Sequence, residues 1–433
     1  MHYFGSSGIR GIVNAELTTE LASAAGRAIG SGYGRVIIGT DTRTTSRMIA
    51  KSVIAGMLAS GSNVVDIGVV PTPVVGFLAR DFDCGVVITA SHNPPEYNGI
   101  KLINADGSGF SIRQMEEIEE RIDRMEFRNP GYSMVGRYLQ CEWLKEKYIE
   151  KILSEFGKIG KRVAVDAGNG TAGLFTPLIL RKLGCDVLSL NAQPDGTFPW
   201  RESEPSKENL IALANAVVSE KCDVGIAHDG DADRLAVIDE KGNFIDPQVL
   251  LCIFASEFSE GKVVASIDST IVLNKILGDD RVEITKTGDV FVSARLKEIN
   301  GVFGGEPSGT FIFPQHSYCP DGIYAGVKFL AEADEPVSKI ASRVPVLKIK
   351  KGSLRYPKER RNAIEPEVIA ALTKLGGRSN TLDGIKLQFE DASVLVRFSG
   401  TEPKIRITVE CEDADKCEKI YGMIASLVER CIS

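Results

Sequence analysis

Residues Arg35-Val36-Ile37-Ile38-Gly39-Thr40-Asp41-Thr42-Arg43-Thr44-Thr45-Ser46 set out the architecture in miniature. A short β-branched run ends in a Gly/Asp/Thr turn, and a helical pattern follows. Arg162–Val165 enters Asp166-Ala167-Gly168-Asn169-Gly170-Thr171 in the same way, and Val263–Ile267 enters Asp268-Ser269-Thr270. β-Branched residues suit a pleated surface, whereas Gly, Asp and Thr suit the turn and the helix start. Strands alternating with helices predict βαβ units with parallel or mixed sheets. The three starts read as copies of one unit, although what they share lies mostly in turn residues.

The last stretch differs. Ile385–Glu390, Val394–Phe398 and Ile405–Glu410 read as strands joined by short turns. A final helix follows, with Cys417, Ile420, Tyr421, Ile424, Leu427, Val428 and Cys431 on one face. The expectation is three related α/β domains with mixed or parallel sheets, spanning 1–155, 156–257 and 258–343, and a smaller C-terminal α+β domain, 344–433.

The length of 433 residues agrees with three or four domains at about 150 residues each. Apolar residues make up 43% and charged residues 25%, the proportions of a soluble globular chain. Fifty-one basic against 58 acidic residues leave a net charge of −7, which argues against nonspecific binding to nucleic acid or an anionic membrane. An anionic substrate must then meet local basic residues. The apolar stretch Val64–Ala79 is broken by Asp66, Pro71 and Pro73, so no bilayer span is expected, and the opening has no apolar signal core. Nine scattered cysteines without a Cys-x-x-Cys pair, and four histidines, disfavour a disulfide framework or a zinc site. A cytoplasmic protein is expected.

Four loops carry the candidate chemistry. Thr89-Ala90-Ser91-His92-Asn93-Pro94-Pro95 follows the apolar strand Gly85–Ile88, and its prolines forbid a helix. Ser91 is thus presented at a strand end on a stiff loop, and Lys101 returns on the next segment. Asp229-Gly230-Asp231-Ala232-Asp233-Arg234 lies between two apolar runs. Three carboxylates so close together repel unless a cation sits among them, and all-oxygen ligands favour Mg²⁺ or Ca²⁺. An EF-hand is rejected, because Arg234 stands at loop position six where Gly is needed and both flanks read as strands. In Arg397-Phe398-Ser399-Gly400-Thr401-Glu402-Pro403, hydroxyls and backbone N–H groups form a concavity suited to phosphate, flanked by Arg397 and Arg406. Gly304-Gly305-Glu306-Pro307-Ser308-Gly309 puts Glu306 and Ser308 on one side of an extended segment, where they could hold sugar hydroxyls. A Gly-x-x-x-x-Gly-Lys phosphate loop and a Gly-x-Ser-x-Gly elbow are both missing from the sequence.

Together, and in their order along the chain, the four loops resemble those of the α-D-phosphohexomutase family over nearly the whole chain. Gly8-Ile9-Arg10-Gly11, Pro71-Thr72-Pro73, Asp195-Gly196-Thr197-Phe198-Pro199 and Lys286-Thr287-Gly288 add to the likeness. The resemblance implies four domains around a central cleft, one loop from each. It implies reversible phosphate transfer between O6 and O1 of an aldohexose phosphate, through a phosphoserine at Ser91 and a sugar 1,6-bisphosphate. Glucosamine is the expected sugar, with mannose or glucose as the alternative. One Mg²⁺ would be held by Asp229, Asp231 and Asp233, with the phosphate on Ser91 completing its shell. Lys101, Arg10 and Lys286 would lie near the reacting oxygens. His92, Arg234, Glu306, Ser308, Arg397, Ser399, Gly400, Thr401 and Arg406 would bind substrate. Thr310 stands where the family often has His, and Phe398 where it often has Pro. A hexose or hexosamine phosphate is the expected partner of a monomer or homodimer.

Two rivals are weighed against this. An aspartyl-phosphate enzyme of the haloacid dehalogenase type would use Asp229-Gly230-Asp231 as its nucleophile motif, but Asp233 stands where that pattern has Thr or Val. A non-catalytic sugar-phosphate or calcium-binding module would not need the intact serine and aspartate triplet.

Overall fold

The structure is a computed structural model that describes residues 3–5, 8–399 and 403–432. It contains four sheets. The first orders its strands Ile9–Ile12, Tyr97–Asn104, Cys84–Ile88, Arg35–Thr40, Asn63–Val69 and Tyr138–Gln140. The last four of these run parallel, while Tyr97–Asn104 is antiparallel to both of its neighbours. That pairing puts Arg10 opposite Gly99 and brings the N-terminal strand beside the serine loop.

The second sheet orders Ala236–Ile238, Val224–Ala227, Arg162–Asp166 and Asp186–Leu190, antiparallel only at its first pair. The third orders Val282–Thr285, Val263–Ser266, Phe303–Gly305 and Phe311–Ile312, antiparallel only at its last pair. The fourth is wholly antiparallel: Lys348–Arg355, Lys404–Cys411, Ala392–Phe398, Ile385–Gln388 and Arg378–Asn380. Three α/β units with mixed sheets and a C-terminal α+β unit are therefore present, as expected. Ser91, Asp233 and Glu306, each in the turn after an inner strand of its own sheet, line one cavity, the usual place for ligands in such sheets.

Burial explains the division. One apolar core runs through the first three sheets, from Ile37 and Val87 through Val165 and Ile226 to Val263 and Phe303. The fourth sheet has a separate core, in which Val394, Val396, Ile405 and Ile407 meet Val368 of the helix Arg361–Thr373 and Ile424 and Val428 of the helix Ala414–Ile432. Polar contacts join it to the third unit: Lys386 Nζ donates to the carbonyls of Ile267 (2.8 Å) and Ser269 (2.6 Å), and Glu410 accepts from Thr270 Oγ1 and from Ile271 N–H.

The helices Thr19–Gly32 and Ser46–Ala59 flank the first sheet and cross closely. A Cβ on Gly26 would lie 2.1 Å from the Val53 carbonyl oxygen, so that crossing requires glycine. All nine cysteines are buried and free, packed as small apolar residues. Among the described residues no helix is long and apolar enough to cross a membrane.

Candidate active site

The strand Cys84–Ile88 is buried throughout and delivers Ser91 at its end. Ser91 has φ +51°, a left-handed conformation that an L-residue holds only when its surroundings impose it. The surroundings here are Arg43, whose side chain is fully buried. Its Nη2 donates to the carbonyls of Ser91 (2.8 Å) and Asn93 (2.6 Å), and Nη1 to those of Pro94 (2.6 Å) and Tyr97 (3.1 Å). Nε pairs with Asp41 at 3.0 Å, and Asp41 also accepts from Thr89 Oγ1 at 2.8 Å. A rigid guanidinium fork thus gathers four carbonyls of the loop.

The aspartate turn forms between Val224–Ala227 and Ala236–Ile238, with Ala232 at φ +59°. Each carboxylate accepts from a different side chain outside the turn. Ser91 Oγ donates to Asp229 Oδ2 (2.6 Å), Thr72 Oγ1 to Asp231 Oδ2 (2.5 Å), and Lys101 Nζ to Asp233 Oδ2 (2.6 Å). Lys101 Nζ is also 3.8 Å from Asp231 Oδ2. The ligand atoms of the three aspartates lie within 4.8 Å of one another. The second oxygens of Asp231 and Asp233 are buried without a hydrogen bond, an arrangement that costs free energy unless a cation takes them up. The donor set fits a hard divalent cation.

The charges respond to this crowding. Burial, with Asp233 and Asp231 alongside, pushes the Asp229 carboxyl well above the usual carboxylate range. Burial acts on Asp233 in the same direction, but Lys101 and Arg234 overcome it and hold that carboxyl low. Burial opposes the charge on Lys101, yet Asp233 and Asp231 keep it protonated well above its ordinary value. His92 is pushed down to about 3, first by burial and then by Arg234 and Arg10, so it is neutral near pH 7. Its Nδ1 lies 3.4 Å from Ser91 Oγ.

A cavity of about 890 Å³ opens over these groups. Ser91, His92, Lys101, Asp233 and Arg234 line it, with Arg10, Glu306, Ser308 and Arg406 from the other elements. Arg10 Nη1 donates to Asn93 Oδ1 at 2.7 Å. The loop that follows Phe303–Gly305 is tied to the aspartate turn by a β-bridge between Arg234 and Thr310. Glu306 accepts the Gly288 N–H at 2.7 Å, and burial, with Asp268 and Asp289 nearby, pushes its carboxyl up to about 8. Ser308 Oγ lies 2.9 Å from Thr310 Oγ1, so Thr310 takes part in that loop's own hydrogen bonding.

In the fourth unit Arg397 and Arg406 are direct cross-strand partners. Like charges so placed repel, and Asp383 Oδ2, 2.7 Å from Arg397 Nε, offsets one of them. Arg406 lines the cavity whereas Arg397 and Ser399 do not; the Ser399 carbonyl accepts from Arg361 Nη1 at 3.0 Å. Gly400 and Thr401 lie outside the described residues. Lys286 is exposed, 5.9 Å from the Phe291 ring centroid, and also does not line the cavity.

Sequence reasoning gave no role to Arg43, Thr72 or Ser203. The first two lie inside motifs that it did single out, Gly39–Arg43 and Pro71–Pro73. Ser203 sits in a turn-rich stretch with no distinguishing signal.

Four family models match the chain. Three are described as phosphoglucomutase/phosphomannomutase, alpha/beta/alpha domains I, II and III, and match residues 1–129, 146–242 and 246–346. The fourth, the C-terminal domain of the same family, matches 355–427. A protein of Methanocella arvoryzae named probable phosphoglucosamine mutase is 44% identical over 100% of this chain and 99% of its own length. One of Pyrococcus abyssi with the same name is 41% identical over 99% of this chain and 98% of its own. Among solved structures, a phosphoglucomutase/phosphomannomutase family protein of Burkholderia thailandensis superposes with TM-score 0.88 at 27% identity, covering 99% of this chain and 97% of that one. A putative phosphomannomutase of Thermus thermophilus gives TM-score 0.81 at 25% identity, covering 98% of each chain.

Proposed function

Because the chain belongs to the phosphoglucomutase/phosphomannomutase family, the α-D-phosphohexomutases, we propose that it is a phosphoglucosamine mutase that interconverts glucosamine 6-phosphate and glucosamine 1-phosphate. The carrying observation is Ser91 Oγ at 2.6 Å from Asp229, in a buried aspartate triplet whose Asp233 lines a cavity together with Arg10, Lys101, Arg234, Arg406, Glu306 and Ser308. The amino sugar is supported by the names of the full-length relatives at 41–44% identity.

Ser91 carries the phosphate in the active enzyme. It passes the phosphoryl group to the free hydroxyl of the bound sugar phosphate, giving a 1,6-bisphosphate. The sugar turns end for end and returns its other phosphate to Ser91. Such transfer demands mainly alignment and charge neutralisation. Asp229, Asp231 and Asp233 would hold one Mg²⁺, which when bound neutralises charge on the Ser91 phosphate. Lys101, which lines the cavity beside Asp233, donates to oxygens of the transferring group. Arg10 and Arg234 face the same cavity and stabilise the transferring group. Glu306 and Ser308 hold sugar hydroxyls, and Arg406 grips the non-reacting phosphate. With its own core, the C-terminal unit can swing on polar contacts and admit the turn of the sugar. Arg397, on that unit, would join the site only on such closure.

A side-by-side assay of glucosamine, mannose and glucose phosphates tests the reading. The kcat/KM for glucosamine phosphate is expected to lead by about tenfold or more, a difference of roughly 1.4 kcal/mol. A lead for mannose or glucose phosphate would overturn the amino-sugar assignment.

A further inference from the structure

The stretch 195–206 supplies none of the four loops, yet one of its side chains lies between two of them. Ser203 is 3% exposed. Its Oγ donates to the Ser91 carbonyl at 3.0 Å and accepts the Gly230 N–H, also at 3.0 Å. Gly230 stands between Asp229 and Asp231. One hydroxyl therefore ties the backbone of the serine loop to the backbone of the aspartate turn. Both loops contain a residue held at positive φ, Ser91 and Ala232.

The support behind Ser203 is stiff. Arg201 Nη1 donates to the carbonyls of Glu202 (2.9 Å) and Ser203 (3.1 Å), while Nη2 donates to that of His228 (2.6 Å) and Nε to Asp166 (3.1 Å). The packing leaves no slack: a Cβ on Gly230 would lie 2.8 Å from Ser203 Oγ and 2.9 Å from the Ser91 carbonyl oxygen.

We propose that Ser203 is a positioning residue whose hydroxyl sets the separation between Ser91 and the aspartate turn. Removing it leaves the buried Gly230 N–H without a partner and the Ser91 carbonyl with Arg43 as its remaining side-chain donor. The loops then relax apart, and alignment is what phosphoryl transfer depends on. The proposal rests on the mutase reading for its kinetic consequence, and its effect on cation affinity can be measured independently.

The test is Ser203→Ala in the full chain. We expect kcat to fall about 10- to 100-fold and calorimetric Mg²⁺ affinity to fall about tenfold. KM for the sugar phosphate should stay within about twofold, since the sugar contacts are untouched. The thermal midpoint should stay near that of wild type, and Ser203→Thr, which keeps the hydroxyl, should restore most of kcat. Wild-type kcat and Mg²⁺ affinity in Ser203→Ala would overturn the proposal. So would a loss that follows the thermal midpoint and is not restored by Ser203→Thr. If Ser203→Ala does not fold, Gly230→Ala presses on the same link from the other side and should lower kcat at unchanged KM; unchanged kcat overturns the proposal. A wild-type chain without turnover on any hexose phosphate would sink the functional reading, while the Mg²⁺ titration would still decide the role of Ser203.

Discussion

Ser91 Oγ donates to Asp229 Oδ2 at 2.6 Å although 138 positions separate the two residues. A hydroxyl in that place is already held against the carboxylates that would carry a cation. Asp229 lies in a turn that Thr72 and Lys101, both from the first unit, also engage. Ser91 and the aspartate triplet are therefore positioned jointly by two units that share one apolar core.

Ser91→Ala removes the oxygen that would carry the phosphate. Turnover should fall roughly 10⁴-fold or more, with far-UV circular dichroism unchanged. Incubation with a ³²P-labelled sugar bisphosphate should label wild type and not the variant. Retained turnover would put the nucleophile elsewhere.

Asp231→Asn keeps the side-chain volume and removes one charge from the triplet. Mg²⁺ affinity, measured by calorimetry, should weaken about 10- to 100-fold, and Thr72→Val, which frees the oxygen that Thr72 engages, by about tenfold or less. An unaltered metal titration in Asp231→Asn contradicts the assignment of the triplet.

Arg406→Ala should act on binding. The expected change is a rise of about tenfold in KM for the sugar phosphate, with kcat affected less, because the phosphate it would grip is the non-reacting one. A fall in kcat at constant KM would move Arg406 to the reacting end of the cavity.

Glu306 offers a pH signature. Burial, with Asp268 and Asp289, raises its carboxyl from 4.5 to about 8. The folded chain then holds this proton more tightly than the unfolded chain, so the group's contribution to stability falls as pH rises through that window. Glu306→Gln has no such ionisation. Its thermal midpoint should gain on that of wild type as pH rises towards 8, then level off. A constant difference between the two across this range would contradict the burial argument.

Much of this was legible because it is local. β-Branched runs, Gly/Asp/Thr turns and a one-faced apolar stripe from Cys417 to Cys431 report backbone preference and burial within a few residues. The aspartate triplet is legible for the same reason, since three charges within five positions cannot avoid one another. The sequence by itself thus determined the alternation of elements, the loops that bear chemistry and the class of ion they suit.

Tertiary structure alone decided which oxygen meets which donor. Arg43 finds its four carbonyl acceptors 48 to 54 positions away, Thr72 finds Asp231 159 positions away, and Ser203 joins two loops that no spacing rule connects. It also set Lys286 and Arg397 apart from the cavity that takes in Lys101 and Arg406. Hydrogen bonds act over about 3 Å, and such approaches are fixed by the packing of whole sheets, not by neighbours along the chain.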